Sequence, residues 1–152
     1  MNSYSIQLPL DDDGFLRREC PHCSQQFKWH HGPTAERPPG EVDPPVYFCP
    51  RCGNPAASDQ WFTQEQIAYM QNALAGPALR EATDAIEKAF RGAKGITFKR
   101  SSFDEPEPPA TLQEVNDMLL VAPPCHQWEP IKVPEEAAGE IHCLICGTAF
   151  AA

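Results

Sequence analysis

No apolar run in this chain approaches the ~20 residues that a membrane-spanning helix needs, so no membrane association through a buried helix is expected. Positive charge is scarce as well. Twelve Lys and Arg stand against twenty-one Asp and Glu, for a formal net charge of −9. A chain this acidic does not wrap a phosphate backbone through its overall field. Hydrophobic residues make up 41% of the 152 positions and are diluted by seventeen prolines, which is too little for one large continuous core. A Gly-rich phosphate loop, a nucleophile elbow and a catalytic-triad spacing are all missing. So is the His-x-Glu motif that zinc deaminases pair with Pro-Cys-x-x-Cys. Met1 to Leu10 lack both a basic n-region and an apolar h-region. A cytoplasmic location, where thiols stay reduced, is therefore expected.

What the chain has instead is cysteine. Six of the seven form three Cys-x-x-Cys pairs, Cys20/Cys23, Cys49/Cys52 and Cys143/Cys146, and the seventh, Cys125, adjoins His126. In a reducing compartment such pairs read as metal ligands or redox centres. Four cysteines, then three cysteines and a histidine, make two sets of four donors, the complement of structural Zn²⁺. Two Zn²⁺ per chain are expected, one held by Cys20, Cys23, Cys49 and Cys52 and the other by Cys125, His126, Cys143 and Cys146. His142 is the alternative fourth ligand of the second site, and Glu129 or Glu140 a remoter one. His126 is favoured because a knuckle supplies two donors. Neighbouring side chains diverge on an extended strand, so a turn at Pro123-Pro124 must bring Cys125 and His126 together. A water in the fourth position would make the second site open and Lewis-acidic. However, Glu129, Glu135, Glu136 and Glu140 show no catalytic spacing.

Cys-Pro-His-Cys at 20–23 and Cys-Pro-Arg-Cys-Gly at 49–53 resemble the knuckles of zinc-ribbon proteins. The resemblance covers residues 14–58 well and 118–152 less well, and leaves out the middle. It implies a fold and a metal rather than a job. The stretch between Cys23 and Cys49 exceeds the ~15–20 residues usual between such pairs, and the Pro/Gly-rich loop from Gly32 to Pro45 accounts for the excess. Rubredoxins also use paired knuckles, with iron. The long loop and the lack of a compact aromatic-rich unit make iron the lesser expectation.

Between the knuckled regions the pattern turns helical. Thr63-Gln-Glu-Gln66 is a capping-box sequence. Ile67, Met70 and Leu74, then Leu79, Ala82, Ile86 and Phe90, form apolar stripes at helical spacing. Gly76-Pro77 suits a stop followed by a new start, which predicts a helical hairpin or, failing that, a kinked helix. A strand at 96–100, an acidic Pro-rich linker at 104–109 and a short helix over Leu112 to Asp117 complete the reading.

The expected fold is thus a small metal-stabilised α+β chain: a first ribbon over 1–58, helix over 59–95, a linker over 96–117, acidic and Pro-rich in part, and a second ribbon over 118–152. The expected function is that of a non-enzymatic zinc adaptor or regulatory protein, binding a protein partner or a second copy of itself through its helices. The alternative is nucleic-acid binding. It would use Arg80, Lys88, Arg91, Lys94, Lys99 and Arg100, helped by a basic-aromatic face of Arg17, Arg18, Lys28 and Trp29.

Overall fold

The computed structural model describes residues 5–91, 111–137 and 139–152. The chain divides into two compact units. One contains Leu8–Gln64 together with Leu112–Ala152; the other contains Met1–Gln7 and Glu65–Thr111.

The first unit is built from β-hairpins whose turns carry the cysteines. Strands β1 (Phe15–Glu19) and β2 (Gln26–His30) flank Cys20 and Cys23. Strands β3 (Val46–Phe48) and β4 (Pro55–Ala57) flank Cys49 and Cys52. Strands β5 (Leu119–Val121) and β6 (Ile131–Val133) enclose Cys125 and His126, and β7 (Glu140–His142) and β8 (Ala149–Ala151) enclose Cys143 and Cys146. Two of these hairpins merge. The sheet runs β1-β2-β6-β5, with Lys28 opposite Lys132 and Trp29 opposite Ile131 across the antiparallel seam.

Residues 8–58 and 118–152, expected to lie in separate ribbons, therefore fall in one unit, joined by one shared four-stranded sheet and one core. The physical reason is size. Strands of three to five residues cannot stand as isolated hairpins, and each would leave an edge unpaired. Pairing β2 with β6 closes both edges. The core beneath is correspondingly shared: Phe27 and Trp61 from the first segment pack with Ile131, Val133, Ile141 and Leu144 from the second.

The opposite face of the same sheet is polar, yet also covered. Arg17, Lys28 and Lys132 share it. Over them passes the segment 112–117, which is extended rather than the expected short helix. Glu114 and Asp117 bind Arg17 at 2.8 and 2.6 Å, and Asn116 accepts from Lys132 at 2.9 Å. The carbonyl of Val115 accepts from Lys28. With the Val115 carbonyl and the side chains of Glu114, Asn116 and Asp117 committed to the sheet, a helical turn has nothing left to gain there.

In the other unit, α1 (Gln64–Phe90) begins just after Thr63, where the capping sequence places it. It runs through Gly76-Pro77, so the expected hairpin does not form. Alanines 73, 75, 78, 82 and 85 surround the break, and their helix propensity carries the chain across it. An interior proline still forfeits one backbone hydrogen bond and crowds the preceding turn. Pro77→Ala is accordingly expected to stabilise the helix by up to ~3 kcal/mol, read as increased helical circular dichroism and a higher helix melting temperature. Leu74, Leu79 and Ile86 remain at the surface. Among the described residues no helix is long and apolar enough to cross a membrane. The expected strand at 96–100 and the linker at 104–109 lie outside the described residues, as do Lys94, Lys99 and Arg100 of the expected basic cluster.

Candidate metal centres

Each Cys-x-x-Cys turn is held by the same backbone pattern. The first cysteine's carbonyl accepts from the residue after the second: Ser24 to Cys20 at 3.0 Å, Gly53 to Cys49 at 2.8 Å, Gly147 to Cys143 at 2.9 Å. That donor residue must be left-handed, with φ of 59° at Ser24, 77° at Gly53 and 75° at Gly147. The first cysteine's own N–H then closes the hairpin onto Gln25, Asn54 or Thr148. This leaves other amides free to face sulfur. In the first two turns, His22 and Cys23 donate to Cys20 Sγ, and Arg51 and Cys52 donate to Cys49 Sγ, at 3.3–3.5 Å. Such bonds stabilise thiolates.

The turns bring their donors together in fours. Cys20, Cys23, Cys49 and Cys52 form one cluster and Cys125, His126, Cys143 and Cys146 another, with all ligand atoms in each within 4.8 Å of one another. Cys20 Sγ lies 3.7 Å from Cys52 Sγ, and Cys23 Sγ lies 3.8 Å from Cys49 Sγ. Both distances are far beyond a disulfide bond of ~2.05 Å. They match the edges of about 3.8 Å in a tetrahedron of sulfurs ~2.3 Å from a shared ion. In the second cluster, Cys125 Sγ and Cys146 Sγ are 3.4 Å apart, as are Cys143 Sγ and His126 Nδ1. The mixed sulfur–nitrogen edge of such a site is about 3.5 Å.

The fourth donor of the second cluster is therefore His126, brought in by the turn after Pro123, whose carbonyl accepts the His126 N–H at 3.2 Å. Trp128 meets the imidazole edge-to-face at 5.6 Å. His142 is engaged elsewhere: its backbone N–H donates to Pro50 O at 2.9 Å and its ring packs over Gly53. Glu129 and Glu140 are not in the cluster. His22 bonds Pro55 O at 3.0 Å, and His30 bonds Gly32 O at 2.9 Å.

Without an ion, the thiols of each cluster divide their protons unequally. Burial pushes the Cys49 thiol well above its usual range and Cys143 up to about 12. Burial also acts on Cys146, but the Thr148 hydroxyl and N–H outweigh it and draw that thiol down to about 6. Like charges this close cannot all ionise; a bound cation removes the conflict and lets every cysteine ligate as thiolate. The two clusters also differ in access. Cys20 and Cys49 are buried, whereas Cys125 and Cys146 are exposed.

The clusters are coupled through a reciprocal contact. Phe48, just before Cys49, donates to the carbonyl of Leu144, just after Cys143. His142, just before Cys143, donates to the carbonyl of Pro50, just after Cys49; both bonds are 2.9 Å. The glycines follow the same exchange. A Cβ on Gly53 would come within 2.9 Å of the His142 ring, and one on Gly147 within 2.8 Å of the Phe48 ring. The turn of Cys49 and Cys52 and the turn of Cys143 and Cys146 thus face each other through matching contacts.

Two members of the basic-aromatic face, Lys28 and Arg18, are buried within the unit. Lys28 is fully buried and bound to Asp11 at 3.1 Å and Glu114 at 3.1 Å. Arg18 is buried between the rings of Trp29 and Phe62, at 4.7 and 4.6 Å. Burial alone pulls its pKa down to about 10. What the spacing of residues did not show is the buried ionic cluster around Asp11. Its carboxylate takes both Lys28 and Lys132, the latter at 2.9 Å, while Asp13 binds Lys132 at 2.7 Å. Strand alternation places both lysines on the face away from Phe27 and Trp29, which reads as solvent unless something covers it.

Comparison with protein-family models, with curated proteins and with solved structures finds no match.

Proposed function

We propose that both clusters hold structural Zn²⁺ and that the chain is a non-enzymatic adaptor or regulatory protein. The observation that carries the first part is the spacing of the sulfurs, 3.7 and 3.8 Å across the first cluster. Thiolates with at most one imidazole are the donor set of a closed, tetrahedral zinc site. Cys20, Cys23, Cys49 and Cys52 would hold one ion, and Cys125, His126, Cys143 and Cys146 the other. With four protein donors each, the ions substitute for core that segments this small cannot supply. The adaptor reading rests on α1, where Leu74, Leu79 and Ile86 stay exposed and offer an apolar contact to a protein partner or a second copy.

Native mass spectrometry with elemental analysis tests the metal reading: two zinc ions per intact chain are expected. One ion, or iron, would overturn it. Replacing Leu79 and Ile86 by glutamate is expected to abolish partner capture or self-association without changing the zinc count.

A further inference from the structure

A cavity of about 160 Å³ lies in the cysteine-bearing unit, apart from both sets of metal donors. At ~30 Å³ per water it has room for about five. Three aromatic residues from different parts of the chain line it: Trp29 of β2, Tyr47 of β3 and Trp128 beyond the His126 turn. Trp29 and Tyr47 are 4.9 Å apart, centroid to centroid. The Gly32–Pro45 loop supplies a further wall, with Arg37 and Asp43. Thr34 ties this loop to Trp128 through the tryptophan carbonyl.

The decisive residue is Glu129, which also lines the cavity. It is only 8% exposed, and its carboxylate makes no hydrogen bond or ion pair among the described residues. A buried carboxylate without a partner is costly. Arg37, which shares the cavity wall, makes no hydrogen bond to it. Arg37 directs Nη1 to Asp43 at 2.8 Å and Nη2 to the carbonyl of Glu41 at 3.0 Å, with its guanidinium 5.7 Å from the Trp128 ring. Arg37 is paired with Asp43 and reaches Glu129 only through its longer-range field, while burial pushes the Glu129 carboxyl pKa up, a cost that a bound cation would relieve.

We infer that this cavity is a recognition site for an alkylammonium group. Aromatic faces attract a cation through their quadrupoles, and Glu129 supplies the counter-charge. The alkyl stem would lie along Trp29 and Tyr47. The same chemistry arises from a free small amine or from a lysine side chain on another protein. This reading goes beyond the zinc assignment and asks only that the unit be folded.

The test uses the full, zinc-loaded chain and calorimetric or tryptophan-fluorescence titration with n-butylammonium chloride and with n-butanol, its neutral counterpart. Saturable binding of butylammonium, at least ~10-fold tighter than butanol, is expected. Glu129→Gln should erase that preference, with zinc content and circular dichroism checking that the variant folds. Equal binding of the two probes by the unaltered chain, or no saturation by ~50 mM, overturns the inference without reference to any variant. A tripeptide of glycine, lysine and glycine with blocked termini identifies the source. Binding at least as tight as butylammonium supports a lysine side chain as the natural occupant, and binding ~10-fold weaker supports a free amine.

Discussion

Cys143→Ser is expected to cost the chain both zinc ions rather than one. A structural zinc site contributes an apparent ~10–16 kcal/mol to folding, whereas a whole domain is stable by only ~5–15 kcal/mol. The loss of one site therefore exceeds what the unit holds in reserve. It cannot be confined to one half, because the halves share the sheet β1-β2-β6-β5 and the core of Phe27, Trp61, Ile131 and Leu144. Phe48 and His142 also donate across to the opposite metal turn. Chelation of the native protein is expected to release both ions in a single step coincident with loss of the near-ultraviolet dichroism of Trp29 and Trp61. Attack begins at the exposed Cys125 and Cys146. A Cys143→Ser protein that retains one zinc and half of its tertiary signal would refute the coupling.

Asp11→Ala is expected to destabilise the same unit by ~3–5 kcal/mol, the cost of stripping the partner from buried charge. Asp11 Oδ2 is 3.1 Å from Lys28 Nζ and 2.9 Å from Lys132 Nζ, and all three side chains are essentially inaccessible. Asp11 Oδ1 also accepts from the N–H groups of Asp13 and Phe15 at 3.0 Å, fixing the approach to β1. Replacing the three charges together, as Asp11→Leu with Lys28→Met and Lys132→Met, is expected to recover most of the loss, since an apolar core of similar volume has no desolvation to repay. Chemical denaturation of the zinc-loaded variants measures both effects.

The cluster also sets a sign for pH. Burial raises the Asp11 pKa, but Lys132, the Phe15 N–H and Lys28 outweigh it and hold the carboxyl at about 2, below the ~3.9 of an unfolded chain. A depressed pKa means stability that is fully present above ~4 and is lost only as pH falls through about 2. Thiolate ligands take up protons and release metal well before that. Acid unfolding is therefore expected to follow zinc release, monitored with a chromogenic indicator, at a pH where Asp11 in the folded unit is still ionised.

The two candidate donor clusters were legible because ligand spacing is a local property. Three of the four turns announce themselves by Cys-x-x-Cys, with Gly53 and Gly147 marking where the backbone turns left-handed. His126 was half legible: the second site offers two histidines beside cysteines, and only the fold reveals that Pro50 occupies His142. The joining of the two regions was not legible. Alternation in Gln26–His30 tells which residues share a face, but not that the free edge meets Ile131–Val133. Lys28 misled for the same reason: its burial depends on Asp11 and Glu114, distant in sequence. Pro77 marked a helix end by local rules, and the alanine-rich flanks overrode it.

The β2–β6 seam has a further consequence for the order of events. Segment 65–111 departs from the cysteine-bearing unit after Gln64, and the chain returns to it at Leu112, so that unit is a host interrupted in the middle. Lys28 and Lys132 cannot meet until this interruption has been closed as a loop, and the cost of closure rises only as the logarithm of loop length. Non-local pairings of this kind form late. A nascent chain that has not yet reached Ile131 holds Cys20, Cys23, Cys49 and Cys52 without the strand that seals β2. In that interval the first four thiols lack the cover that the completed sheet provides, and a metal ion bound early would hold them together until β6 arrives.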